Sequence, residues 1–254
     1  MMILHRITPF IIGIVAAIGF ALFFKYTSFY YLWMIITLVV EVVLFAHLTK
    51  LNIGKRETLV LFGIPIVFML SGFVMAFFLQ SLLIKILFVA VVSLLVFFFS
   101  EHIFYYLYLP SKYKAYAIEY VTLLIQVLCV FFISVAGFGV RLFLVAPVWL
   151  LALVFIILIL FIIYSVMWVS KFNEFESYFY SIVGSLILTE LFISIIYLPS
   201  GFFTNAAILT LCFYLFIGLI RAQLIDQLSK IVIRRYLLIG LIMLLGICVT
   251  SKWI

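Results

Sequence analysis

An all-α bundle of about nine membrane-spanning helices is the fold class this sequence predicts, and three observations predict it. Of the residues, 70% are hydrophobic and 9% charged, whereas a water-facing globule carries about a quarter charged residues. The apolar residues fall into long runs, each near the roughly 20 residues that one bilayer crossing requires, with short polar links between them. The basic residues are sorted between those links. With the N-terminus inside, one side holds Arg6, Lys50, Lys55, Arg56, Lys112, Lys114, Lys171, Arg221, Lys230, Arg234 and Arg235, and the other holds Lys25, Lys85, Arg141 and Lys252, eleven of the 15 against four. Short inside loops collect Lys and Arg in this way.

The first helix is expected at about 8–24, with Gly13, Ala16, Ala17 and Gly19 as a small-residue face that lets a neighbour approach closely. It has the charge-then-apolar form of a signal sequence without a small-x-small cleavage site, and reads as a retained span. The second helix, about 29–48, opens in the aromatic group Phe29, Tyr30, Tyr31 and Trp33, suited to headgroup depth. The third, about 58–78, carries Gly63, Pro65 and Gly72 and is expected to bend. The fourth, about 82–100, is expected to end at Glu101 and His102, before a tyrosine-rich link around Pro110. The fifth, about 117–138, ends at Gly137 and Gly139, with Arg141 in a short turn and the sixth running over about 142–168. The seventh and eighth cover about 177–198 and 201–220. Residues 221–235 place Leu224, Leu228 and Ile231 opposite Arg221, Lys230, Arg234 and Arg235, either a cytoplasmic amphipathic helix on the membrane or an extension of the eighth helix. The ninth, about 236–254, relies on Lys252 and Trp253 to reach the far interface. No polar stretch is long enough for a separate soluble domain, so one integral domain over 1–254 is expected.

A net charge of +7 would suggest nucleic acid in a soluble protein. Here the basic residues flank apolar spans and act as orientation signals against anionic lipid, so membrane lipid is the expected partner and nucleic acid is not. Cys129, Cys212 and Cys248 lie in apolar runs without Cys-x-x-Cys or Cys/His spacing, which supports neither disulfides nor a metal site. No phosphate loop, zinc helix or nucleophile elbow is present, so no cofactor is expected and the reading leans away from an enzyme.

Chemistry is carried by a few polar residues within apolar runs. Glu190 lies about 20 Å from the start of its predicted helix and Glu41 about 17 Å from the start of its own. An acid at such depth costs a few kcal/mol unless it is protonated, paired or facing water, which makes both candidate binding residues. The alternative is a hydrogen bond to a neighbouring helix as packing glue, with Gln126 as a candidate partner. Glu101 recurs in the same setting: Glu101 to Tyr108-Leu109-Pro110-Ser111 matches Glu190 to Tyr197-Leu198-Pro199-Ser200. With alternating spans the two segments run in opposite directions, as in inverted repeats that place binding sites at the midplane.

From Glu190-Leu191-Phe192 through Tyr197-Leu198-Pro199, and on over Asn205 to Tyr214, the chain resembles an uncharacterised family of bacterial multi-pass membrane proteins. That resemblance implies a polytopic helical fold and no activity. The expectation is an integral protein of the bacterial cytoplasmic membrane that moves or binds a small solute, protons or a lipid through a cavity containing Glu190, with Glu41 as a second acid. A non-catalytic assembly or scaffold subunit is the runner-up, and an enzyme on a lipid-linked substrate the third reading.

Overall fold

A computed structural model describes residues 2–49, 56–110 and 117–251. Over these residues the chain forms α1 (Met2–Lys25), α2 (Tyr30–Thr49), α3 (Arg56–Ala76), α4 (Leu82–Tyr108), α5 (Ala117–Leu144), α6 (Val148–Val169), α7 (Glu174–Ile195), α8 (Phe202–Leu224) and α9 (Lys230–Thr250). A 3-10 turn, Thr27–Phe29, joins α1 to α2. All nine helices among the described residues are long and apolar enough to cross a membrane, and no strand occurs among them. Helices are what hydrocarbon demands, since each satisfies its own backbone groups where no water can.

Several boundaries differ from expectation. α4 continues through Glu101 and His102 to Tyr108, and α5 continues through Gly137, Gly139 and Arg141 to Leu144. Glycine does not end a helix in an apolar setting, because nothing competes for its backbone groups. The reversal falls at Val145–Pro147 instead, with Val145 in the left-handed region (φ 52°). Pro147 stands before the first turn of α6, and the Arg141 Nη1–H donates to the Ala146 carbonyl at 2.9 Å. Residues 221–235 are divided between the last turn of α8, a link at 225–229 turned by Asp226 (φ 55°), and the first turns of α9. There is no separate surface helix, because the apolar periodicity of that stretch belongs to the two spans it joins. Lys50, Lys55, Lys112, Lys114, Lys252 and Trp253 lie outside the described residues.

The helices group into two compact units, 1–126 and 127–254. The division falls inside α5, so no polar linker marks it, which is why the sequence reads as one domain.

In the first unit α1 packs along both α2 and α4, and α3 packs against α2 and α4. α1 buries Thr8, Ile12, Ala16, Phe20 and Phe23, one stripe at helical spacing. The small-residue face works on two sides: a Cβ on Gly13 would stand 2.9 Å from the Phe97 Cβ of α4, and one on Gly19 would overlap Thr37 of α2. Phe20 stacks on Phe73 of α3 at 4.1 Å and meets Phe88 of α4 edge-on at 5.4 Å.

In the second unit α6 and α7 pack along each other, and α8 contacts both α7 and α9. A recurring device joins the helices, in which a glycine on one receives an aromatic ring from another. Phe192 of α7 fills the space beside Gly137 of α5, Phe216 of α8 that beside Gly184 of α7, and Tyr236 of α9 that beside Gly218 of α8. Without a hydrophobic driving force between helices in lipid, such close packing does the joining.

Candidate functional site

Along its middle, α2 turns Thr37 and Glu41 inward and aliphatic side chains outward. Its buried residues Thr37, Glu41, Phe45 and Leu48 follow one another at helical spacing, while Leu32, Ile35, Ile36, Val39 and Val43 are exposed. A helix in lipid turns its polar residues inward because hydrocarbon solvates only the aliphatic ones. Gly19 of α1 meets Thr37 and His5 stacks on His47, so α1 and α2 are antiparallel. That register sets Glu41 level with residues 12–16 of α1. Glu41 stands about 17 Å along a helix of about 30 Å, near mid-span.

The Glu41 side chain is 1% exposed. Neither carboxylate oxygen has a hydrogen-bond partner among the described residues. Buried polar groups are nearly always satisfied, and an exception calls for an explanation.

The other sequence candidates are placed differently. Gln126 is fully buried on α5, but it does not bond Glu41, whose oxygens are unpartnered among the described residues. One turn before it, Thr122 is also buried with its hydroxyl unpartnered among the described residues. Thr122 lies four residues before Gln126, a spacing that puts both on one face of α5. Glu101 is half-buried within α4, about 10 Å from that helix's end. Its neighbour His102 bonds the Phe98 carbonyl through Nδ1 at 2.6 Å.

Glu190 is exposed. The buried face of α7 carries Ser177, Ser181, Gly184, Ser185 and Thr189, with Ser181, Ser185 and Thr189 bonded to carbonyls of their own helix. Glu190 lies on the opposite side among the exposed Ile182, Leu186 and Ile187, about 8 Å from the helix end.

The two Glu-to-Pro segments also differ locally. α4 runs through Tyr108, but α7 stops at Ile195, two residues before Tyr197. In the second segment Pro199 and Ser200 make the joint to α8, and the Ser200 hydroxyl donates to the Asn205 side-chain oxygen.

One cluster was not legible in the sequence. His5 stacks between His47 (4.7 Å) and Tyr108 (4.8 Å), and the Tyr108 hydroxyl donates to the Leu48 carbonyl at 2.9 Å. The start of α1 and the ends of α2 and α4 therefore meet at one end of the first unit. The ring that stacks on His47 belongs to His5 on another helix, about 40 positions away in sequence.

Among the described residues no group of three or more His, Cys, Asp or Glu could hold a metal ion. A family model described as a protein of unknown function (DUF5656) matches residues 54–250, a region that contains Glu101, Gln126 and Glu190 and begins after Glu41. No curated protein and no solved structure matches the chain.

Proposed function

Because the chain belongs to the DUF5656 family, described only as proteins of unknown function, we propose a function from geometry: an integral membrane protein that moves or binds a small solute or lipid, with Glu41 as the working acid. The observation that carries this reading is a carboxyl at mid-span, 1% exposed, with neither oxygen hydrogen-bonded among the described residues. A charge left there costs several kcal/mol, so the group gains its partner from a proton or from cargo. The N-terminus lies on the cytoplasmic side in this proposal, supported by the eleven basic residues assigned to that side. Superposing the α4–α5 pair on α7–α8 by a half-turn in the membrane plane tests the inverted repeat.

In vesicles carrying the purified protein, an imposed pH gradient read by a trapped dye is expected to decay faster than in protein-free vesicles. Glu41→Gln is nearly isosteric and cannot release a proton, so it is expected to return the decay to the protein-free rate. Equal decay in the wild type and the folded variant would remove the support for this reading.

The exposed acid on α7 favours a second reading, in which Glu190 joins the protein to another membrane helix. Hydrogen bonds between helices in lipid contribute about 0.6–2 kcal/mol. Glu190→Leu is then expected to shift the complex to a smaller size on native gels, with Glu190→Gln intermediate. An unchanged size in both variants would exclude an assembly role for this acid.

A further inference from the structure

The first unit has a cavity of about 260 Å³ at the end opposite the His5–His47–Tyr108 stack. Phe23 and Phe24 of α1, Tyr30 of α2, Phe77 after α3 and Lys85 of α4 line it, together with Thr27 of the connecting turn. The rings are set edge to face, Phe23 to Phe77 at 5.0 Å and Tyr30 to Phe77 at 4.9 Å, which makes a stiff apolar wall. Lys85 holds its Nζ 5.2 Å from the Phe24 ring centre. Neither adjoining link, 25–29 or 77–81, contains an acid.

These features select a ligand class. Aromatic faces alone attract cations, but Lys85 already occupies that position and repels a second positive charge. A mostly apolar pocket with a few convergent polar groups suits an organic ligand, and the polar groups here are an ammonium and the hydroxyls of Thr27 and Tyr30. The helix ends place the cavity where charged lipid heads meet hydrocarbon. We propose that this cavity binds an amphiphile with an anionic head, carboxylate or phosphate, and one apolar chain. The head pairs with Lys85 and the chain lies against Phe23, Tyr30 and Phe77. The site does not depend on Glu41.

Calorimetric titration of the protein in phosphatidylcholine nanodiscs, with empty nanodiscs as the baseline, tests this. Dodecanoate and dodecyl phosphate are expected to bind saturably, and dodecyltrimethylammonium and inorganic phosphate to bind much more weakly. Lys85→Ala should weaken dodecanoate about tenfold to a hundredfold, with Lys85→Arg retaining most of the affinity. Thr27→Trp, at an exposed position, should block the chain without changing charge, and Glu41→Gln should bind as the wild type does. Displacement by phosphatidylglycerol in the disc would mark a membrane lipid as the source of the anion, and its failure to displace would mark a free amphiphile. Equal binding of the trimethylammonium probe, unchanged affinity in Lys85→Ala, or phosphate alone binding as tightly as dodecyl phosphate would overturn the proposal.

Discussion

Glu41→Leu is expected to make the protein more stable, by about 1–3 kcal/mol, because it removes a buried polar group that has no hydrogen-bond partner among the described residues. Leucine is of similar size and suits the apolar surroundings of Phe45 on α2 and Ile12 and Ala16 on α1, all buried. Glu41→Gln should change stability little, since the amide meets the same lack of partners. The sign separates two roles for this acid. A carboxyl serving as interhelical glue would lose a bond on going to leucine, and the variant would unfold more readily. The measurement is reversible unfolding in mixed micelles or by steric trapping. A leucine variant less stable than the wild type would mean that Glu41 is structural. Greater stability with loss of gradient decay is the pattern of a residue kept for function at a cost to the fold.

Gly184→Leu is expected to have the opposite effect and to be the most damaging single substitution in the second unit. A Cβ there would overlap Phe216 of α8 and stand 2.9 Å from Ile163 Cδ1 of α6. Three helices meet at this residue, so relief on one side presses on another. Overpacking of this kind costs about 3 kcal/mol. Gly246→Leu is the matched control, because a Cβ at Gly246 meets nothing within 4 Å and the substitution should stay within about 0.5 kcal/mol of the wild type. If both variants unfold alike, the glycine-to-ring contacts do not hold the unit together.

These contrasts show where the sequence was readable. The nine spans could be located because apolarity over about 20 residues is a property of each segment alone. Boundaries differ from expectation where local punctuation has another value in lipid than in water. Gly137 and Gly139 looked like a helix end and are inside α5; Glu101 and His102 looked like another and are inside α4. The siting of Glu190 was within reach: Ser177, Ser181, Ser185 and Thr189 recur every four residues and mark the inner face of α7. Glu190 follows Thr189 and falls on the far side. Depth along a helix does not fix direction around it.

By itself, the order of residues determined which nine segments are long and apolar enough to cross a membrane, since the free energy of inserting a segment is set by that segment's own composition. Only the packed helices decided that Glu41 is enclosed and Glu190 is not, that His5, His47 and Tyr108 share one end, and that Lys85 meets a wall of rings. Each of those facts depends on how one helix is rotated against another, and that rotation is set by contacts between glycines, serines and aromatic rings far apart in the chain.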